Sequence, residues 1–423
     1  METPRRYIPR ISDTRLTTLL KTFGGVEITG PKWCGKTWTA THHANSADSL
    51  MDPATREAAR IDPSLILQGV APHLIDEWQE VPQVWDAVRS SIDESGNVKG
   101  QYLLTGSTQP KNPDLIRHSG AGRISRIRMY PMTISESVPD AGGISFAGLF
   151  DGVFSPIRTH TSIDEIARWV CRGGWPSIID LDDDLALETP AQYLTSVIDV
   201  EIPQQGKNPT TAHNILRALA LNTAQPVKNT TIIRDLGEND TISRPTLNSY
   251  LDLFRELFIL EELESWAPQL RSKNVLTRPK SYFVDPSLPA SLLGATPNRL
   301  LRDTQTLGNL FETLVLRDLR VFLSVLPGAG NSIGYYRDDK NAEIDFIVQL
   351  ADGRWAAVET KLSDLVVTDE AALKLKKTSE KITANLASRV QPPTFRAFIV
   401  GRGNFAYQRE DGIYVIPIRL LEA

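Results

Sequence analysis

Residues 28–37 read Ile-Thr-Gly-Pro-Lys-Trp-Cys-Gly-Lys-Thr, and this run decides the fold at the start of the chain. An apolar strand over residues 26–29 leads into the pattern G-x-x-x-x-G-K-T of a phosphate-binding P-loop. The glycines let backbone N–H groups turn inward around phosphates, and the helix predicted over residues 38–45 presents its positive N-terminus to them. The run therefore predicts a nucleoside triphosphate site.

Two P-loop side chains have specific expected roles. Lys36 is expected to reach the β- and γ-phosphates, and the Thr37 hydroxyl is placed to bind Mg²⁺. The nucleotide is expected to contact the whole run, namely Gly30, Pro31, Lys32, Trp33, Cys34, Gly35, Lys36, Thr37 and Trp38. The expected cofactors are ATP and Mg²⁺.

A second nucleotide signal lies at residues 72–79, which read Pro-His-Leu-Ile-Asp-Glu-Trp-Gln. A short apolar strand, interrupted by His73, ends here in two adjacent acids. In a P-loop ATPase Asp76 would hold the Mg²⁺ shell, and Glu77 would polarise the attacking water as a general base. We interpret the segment as a Walker B strand, with a solvated loop as the alternative.

Residues 101–108 predict another buried strand that ends in small polar residues. This pattern fits the polar sensor of the additional-strand ATPases, with Thr105 or Ser107 near the γ-phosphate. The alternative is an ordinary boundary between a strand and a turn.

A basic segment over residues 117–128 follows this strand. Arg123, close to two glycines, is a candidate for the arginine that stabilises the transition state, supplied in cis or by a neighbouring subunit. Arg117, Arg126 or a plain basic face are the alternatives.

Composition limits the class of protein. The chain has 423 residues, too many for one core, and 41% hydrophobic with 23% charged residues is typical of a globular protein. A net charge of −5 predicts no general affinity for nucleic acid, so any such surface must be local. Cys34 and Cys171 are the two cysteines, and no signal peptide or membrane span is predicted. We expect a soluble, cytoplasmic protein.

The middle of the chain predicts helices and a DNA-binding fold. After a linker over residues 204–211, three helices and a hairpin-like segment suggest a winged helix-turn-helix. Ser243 is the expected N-cap of the third helix, with Pro245 in its first turn. The side chains that this helix would carry to a DNA groove are Arg244, Thr246, Asn248 and Ser249. A basic run at Arg271, Lys273, Arg278 and Lys280 follows, as a phosphate-binding segment or a solvated loop. The same fold also serves as a protein–protein module.

The C-terminal part predicts a nuclease-like site. A helix over residues 309–319 carries Glu312, and strands are predicted over residues 342–349 and 355–361. Asp345 with Glu359-x-Lys361 matches the PD-(D/E)xK layout, since alternation puts Glu359 and Lys361 on one face. The carboxylates are candidates for a second Mg²⁺ site, with Glu312 as a third ligand and Lys361 positioning water. A salt-bridged hairpin is the alternative, and such folds are often kept for DNA binding without cleavage.

The order of these motifs resembles the prokaryotic AAA-type ATPases that carry a C-terminal domain of unknown function. Besides the runs above, the resemblance rests on residues 104–107 (Leu-Thr-Gly-Ser), 121–123 (Ala-Gly-Arg), 172–176 (Arg-Gly-Gly-Trp-Pro), 282–285 (Tyr-Phe-Val-Asp), 311–312 (Phe-Glu), 343–346 (Glu-Ile-Asp-Phe) and 359–361 (Glu-Thr-Lys). It implies an ATPase module, a winged-helix-like middle and a restriction-endonuclease-like end. Trp33-Cys34 and His73 depart from the family pattern, and neither departure removes a catalytic residue.

We therefore expect an α/β multidomain chain. The predicted domains are an AAA-type ATPase over residues 1–135, a helical linker or lid over 136–205, a winged-helix-like domain over 206–290 and a PD-(D/E)xK nuclease-like domain over 291–423. The expected function is ATP hydrolysis coupled to remodelling of, or translocation on, DNA, including branched DNA. The alternatives are an ATP-gated, metal-dependent DNA nuclease of a defence or mobile-element system, and a nucleotide-dependent switch that binds protein partners. A homo-oligomer is expected, with a hexamer as the working hypothesis.

Overall fold

The structure is a computed structural model that describes residues 7–106, 116, 118–237, 242–267, 278–328, 330–340, 342–384 and 390–423. It divides into two compact units. The first comprises Met1–Pro131 with Glu256–Phe258, and the second comprises Met132–Arg255 with Ile259–Ala423. Among the helices in these ranges, none combines the length and the apolar character needed to cross a bilayer. The finer division of the second unit into three domains stays a prediction.

The first unit alternates strands and helices. Its elements are α1 Ser12–Thr22, β1 Gly25–Thr29, α2 Lys36–His43, β2 Ser46–Ser49, α3 Pro53–Ile61, β3 His73–Asp76, α4 Gln83–Glu94, β4 Tyr102–Gly106 and β5 Ile124–Arg128. The strands form one parallel sheet in the order β2-β3-β4-β1-β5. Strand β4 therefore lies between the P-loop strand and the strand that ends in Asp76, as the additional-strand prediction requires.

Both faces of this sheet are buried, which explains its continuous apolar strands. Leu74 and Leu103 pack on one side with α1, whereas Ile75 and Leu104 pack on the other with α4. His73 does not interrupt β3, because its buried ring bonds to the Ser46 hydroxyl at 2.7 Å and to the Ile66 carbonyl at 2.9 Å. The carboxyl ends of β1, β3 and β4 thus meet at one edge.

The second unit begins with short elements and helices. These are α5 Ile134–Ser137, β6 Ile144–Ser145, α6 Phe146–Phe150, β7 Ile157–Thr161, α7 Ile163–Arg172, α8 Asp183–Ala186, α9 Glu188–Ser196, a π-helical turn Val197–Glu201, α10 Ile202–Gln204, α11 Pro209–Leu221, α12 Asn229–Asp235 and α13 Arg244–Glu256. Thr246 N donates to Ser243 Oγ at 3.2 Å, which confirms Ser243 as the cap of α13. An antiparallel hairpin of β8 Leu260–Leu263 and β9 Lys280–Phe283 comes next. Three helices followed by a hairpin is the predicted order.

The C-terminal part of the second unit is a mixed sheet with helices. Its elements are α14 Ser287–Leu292, α15 Pro297–Leu300, α16 Thr304–Val325, β10 Ser332–Arg337, β11 Glu343–Gln349, β12 Trp355–Ser363, α17 Asp369–Ala384, β13 Phe395–Gln408, β14 Tyr414–Pro417 and β15 Leu421–Glu422. The order is β10-β11-β12-β13-β14, with β11 antiparallel to both neighbours and β13 parallel to β12. The predicted strands around Asp345 and Glu359 are therefore β11 and β12.

A buried ion network joins four segments of the second unit. Asp285 Oδ2 accepts hydrogen bonds from Gly174 N at 3.0 Å and from the Arg317 guanidinium at 2.9 Å. Arg317 also pairs with Asp318, whose other oxygen accepts from Ile134 N at 3.0 Å. A β-carbon at Gly174 would lie 2.1 Å from the Met132 carbonyl oxygen, so the close approach requires glycine. The Gly-Gly and Tyr-x-x-Asp motifs are thus partners in one structural network.

Candidate functional site: the P-loop site and a carboxylate cluster

The P-loop closes around the ammonium of its own lysine. Lys36 Nζ is buried and donates to the carbonyl oxygens of Gly30 at 3.0 Å and Pro31 at 2.8 Å. Gly30 has φ +146°, and a β-carbon there would lie 2.2 Å from the Met129 carbonyl oxygen. Gly35 has φ +100° immediately before α2, a left-handed conformation that glycine adopts without strain. Both glycines of the loop therefore adopt backbone conformations with positive φ angles, which glycine tolerates.

Three side chains converge at the shared carboxyl edge of the sheet. Asp76 Oδ1 accepts hydrogen bonds from the Thr37 hydroxyl at 2.9 Å and from the Thr105 hydroxyl at 2.5 Å. Thr105 Oγ1 also accepts from Glu77 N at 3.4 Å, so this hydroxyl lies between the two acids. We call Gly30 to Thr37 together with Asp76, Glu77 and Thr105 the P-loop site. It brings together the residues predicted for Mg²⁺ and for water activation.

Glu77 is held in an unusual backbone conformation. Its φ is +55°, in the left-handed region that a non-glycine residue occupies at a cost of about 1–3 kcal/mol. The Gln79 amide donates to Glu77 Oε2. The next residue, Trp78, donates from Nε1 to the buried Glu27 at 3.1 Å, and Glu27 pairs with Arg126 at 2.6 Å. Arg126, one of the alternatives to Arg123, is therefore paired with an acid on the neighbouring strand β1.

The remaining P-loop side chains differ in exposure. Cys34 and Pro31 are buried, Lys32 is half-buried, and Trp33 and Trp38 are 45% and 55% exposed. Arg10 is buried and donates to the carbonyl oxygens of Cys34 at 2.8 Å and Tyr130 at 2.9 Å. Its planar fork therefore ties the loop to the segment after β5.

Arg123 lies at the other edge of the sheet from the P-loop. Its carbonyl accepts from Gly25 N at 3.1 Å, at the amino end of β1, whereas the loop follows the carboxyl end. Five strand residues span roughly 13–17 Å. The half-exposed guanidinium donates to Asp93 at 2.8 Å and lowers the pKa of that carboxyl. This placement does not fit a role in cis, and a role in trans stays a prediction. Ser107 and Arg117, the alternatives, lie outside the described residues, as do Arg271 and Lys273.

Four acids of the second unit form a carboxylate cluster, which we define as Glu312, Glu343, Asp345 and Glu359. Strand β11 pairs with β12 so that Phe346 faces Val358, and one further step of this register puts Asp345 opposite Glu359. Lys361 Nζ lies 3.3 Å from Glu359 Oε2 on the same strand face. The predicted residues are therefore neighbours, as alternation required.

Burial and mutual repulsion govern protonation in this cluster. Burial, followed by the charge of Asp345, raises the pKa of Glu312 to about 7, against the opposing effect of Lys280. The same two causes raise the pKa of Glu359 to about 8, against the effect of Lys361. Burial by itself lowers the pKa of Lys280, but the surrounding carboxylates outweigh it and raise that pKa. The ammonium therefore stays charged at neutral pH.

The predicted ligands of the second Mg²⁺ site have hydrogen-bond partners within the chain, and the site itself stays a prediction. Asp345 Oδ2 accepts from Thr360 N at 2.8 Å and from Thr360 Oγ1 at 2.9 Å, and Glu312 accepts from Lys280 and from the Tyr282 hydroxyl. Across the described ranges, no group of three or more His, Cys, Asp or Glu side chains is arranged to hold a metal ion. The acids Glu312, Asp345 and Glu359 are adjacent, and one oxygen of each already has a partner from the chain.

Sequence reasoning missed the role of strand β9 in this cluster. Lys280 was assigned to a basic run and Tyr282 to a family motif, yet both side chains contact Glu312. The available signal was the period of two, which puts residues 280 and 282 on one face of a strand. The role of Gln79 was missed because its partner is the nearby acid Glu77, and such a contact leaves no pattern in the sequence.

Comparisons with known proteins agree with the first unit and leave the rest unassigned. Residues 24–138 match a family model described as an AAA domain. Residues 163–299 match a domain of unknown function, DUF8612, and residues 307–421 match another, DUF4143. No curated protein matches the chain.

One similar solved structure is a refined half-complex from the tetradecameric assembly of Thermococcus gammatolerans McrB AAA+ hexamers with bound McrC. The identity is 13%, over 49% of this chain and 70% of that chain. The TM-score is 0.19, which is too low to support an argument about fold or function. On the family matches, the chain carries an N-terminal AAA-type domain followed by two domains of unknown function.

Proposed function

We propose that this protein hydrolyses ATP at the P-loop site and uses the hydrolysis to remodel DNA or to move on it. The observation that carries the proposal is the convergence of the Thr37 and Thr105 hydroxyls on Asp76, with Glu77 beside them. These groups come from α2, β4 and the end of β3, at the edge where the P-loop opens. The match to an AAA domain supports the same activity.

Each residue has a task in this proposal. Lys36 exchanges the carbonyl oxygens of Gly30 and Pro31 for phosphate oxygens when ATP enters. Thr37 and Asp76 offer oxygen donors of the kind that Mg²⁺ prefers, and Mg²⁺ held there would neutralise phosphate charge. Glu77 accepts the proton of the attacking water, and Thr105 keeps the two acids in register.

The DNA part of the proposal rests on the second unit. Helix α13 exposes Arg244, Thr246 and Asn248, after the helices α11 and α12 and before the hairpin β8–β9. Exposed polar side chains at the start of a third helix are what a groove reader needs. The placement of Arg123 away from its own P-loop supports an oligomer in which it acts on a neighbour, with a hexamer as the hypothesis.

The test is Mg²⁺-dependent phosphate release by the full chain without DNA and with duplex, single-stranded or four-way junction DNA. Stimulation by one DNA form that stays intact, weakened by added salt, is the expected result. Hydrolysis that is indifferent to every DNA would favour the protein-partner switch. DNA cutting that is lost in Asp345→Ala would favour the nuclease. Phosphate release that persists in Glu77→Gln would contradict the assignment of the site itself.

A further inference from the structure

Lys280 is almost fully buried, which is rare for a lysine. It is the first residue of β9, and 2% of its surface is exposed. An ammonium without counter-charges is costly to bury, so its environment must supply them. The surroundings of this side chain therefore indicate what the carboxylate cluster is built around.

The counter-charges come from two other elements. Lys280 Nζ lies 3.1 Å from Glu312 Oε1 on α16 and 2.8 Å from Glu343 Oε1 on β11. The ring of Tyr335 on β10 faces the ammonium at 5.3 Å, within range of a cation–π contact. Two carboxylates and an aromatic face thus surround one cation, at distances normal for ammonium hydrogen bonds.

A Mg²⁺ ion would need a different arrangement. It requires oxygen ligands at about 2.0–2.1 Å in near-octahedral geometry. Glu312 Oε1 also accepts from the Tyr282 hydroxyl, Asp345 is bonded to Thr360, and Glu359 is bonded to Lys361. A metal that used these same oxygens would displace the contacts, and a metal at Glu312 Oε1 would compete with the Lys280 ammonium for that oxygen.

We propose that the Lys280 ammonium is a built-in cation that replaces a metal ion in this cluster. It ties strand β9 to α16 and β11, so the carboxylate cluster is assembled and held without a divalent ion. This inference goes beyond ATP hydrolysis and does not depend on it, since all the residues involved lie in the second unit.

The test measures binding of Mn²⁺ to the nucleotide-free full chain by electron paramagnetic resonance. Asp76→Asn is present throughout, so that Mn²⁺ at the P-loop does not contribute. The expected parent has no site that depends on Asp345, and its melting temperature is the same in EDTA and in Mg²⁺. A parent site that is lost on Asp345→Asn would overturn the proposal, and this comparison needs no change at Lys280.

Two substitutions at Lys280 sharpen the test. Lys280→Met keeps an unbranched side chain of similar length and removes the charge. We therefore expect a melting temperature lower by several degrees and a new Mn²⁺ site, which Glu312→Gln should abolish. Lys280→Arg keeps the charge and should gain no such site. A Lys280→Met protein that melts like the parent and binds no Mn²⁺ would show that Lys280 does not hold the cluster.

Discussion

At the P-loop site, Asp76 accepts hydrogen bonds from the hydroxyls of Thr37 and Thr105, whereas in the carboxylate cluster Glu312 faces the ammonium of Lys280. A hydroxyl keeps lone pairs and can share a cation with the acid that it contacts. An ammonium has none and fills the position of the cation itself. Both sets of acids fit metal-binding motifs in the sequence. The P-loop site leaves the position of the cation free, whereas Lys280 occupies that position in the carboxylate cluster.

The two lysines show the same contrast. Lys36 donates to two backbone carbonyls of a loop, which can accept from water instead when a phosphate draws the ammonium away. Lys280 donates to two carboxylates that would be left without this counter-charge. The first arrangement is suited to exchange with a ligand, and the second is suited to permanent structure.

The largest expected effect is on hydrolysis. Glu77→Gln removes the general base and keeps the shape of the site, so phosphate release should fall by about 100-fold or more while ATP still binds. Steady-state phosphate release and binding of a fluorescent ATP analogue measure the two properties. Glu80→Gln, a nearby exposed acid, is the matched control and should behave like the parent. An equal loss of phosphate release in both variants would contradict the role of Glu77 as the general base.

A comparable effect on stability is expected in the second unit. Asp285→Ala removes one of the two carboxylates that pair with the buried Arg317, so the free energy of unfolding should fall by about 3–5 kcal/mol. Denaturant unfolding followed by tryptophan fluorescence measures the change. Asp252→Asn removes an exposed pair with Arg255 and should cost less than about 1 kcal/mol. Similar losses from the two variants would mean that the buried network is no stronger than a surface pair.

A smaller effect is expected from the arginine beneath the P-loop. Arg10→Lys keeps the charge but loses the fork that reaches both Cys34 and Tyr130, so affinity for ATP should fall by about 10-fold. Isothermal titration with a slowly hydrolysed ATP analogue measures this loss. Arg60→Lys, on the exposed side of α3, is the control. An unchanged affinity in Arg10→Lys would place Arg10 outside the binding machinery.

The smallest effect concerns Thr105. Thr105→Val keeps the shape and removes the hydroxyl between Asp76 and Glu77, so kcat should fall by about 10-fold with little change in KM. Thr105→Ser retains the hydroxyl and should recover most of the rate. A drop confined to KM would instead assign Thr105 to ground-state binding.

The sequence predicted the first unit well because its signals are local. Gly30 and Gly35 mark positions that need special φ angles, and the adjacent acids at 76 and 77 close an apolar strand. Parallel strands then bring their carboxyl ends to one edge, which is why Thr105 or Ser107 could be predicted near the γ-phosphate without coordinates. His73 was a weak point of the pattern, and its burial with Ser46 explains why it is tolerated in the strand.

The second unit was harder to predict because its site depends on pairing between distant elements. The acids of β11 and β12 could be placed on one face by alternation, but the partner of Glu312 comes from β9. Alternation along β9 puts Lys280 on the same face as Tyr282, but it does not show that this face meets Glu312. The same holds for Gly174 and Asp285, whose hydrogen bond links segments far apart in the chain.

The most direct measurement compares one acid from each region. Phosphate release and melting temperature are recorded for the full chain, for Asp76→Asn and for Glu343→Gln. We predict that Asp76→Asn loses ATP hydrolysis and melts like the parent, while Glu343→Gln keeps hydrolysis and melts at a lower temperature. Hydrolysis that survives Asp76→Asn would contradict the account.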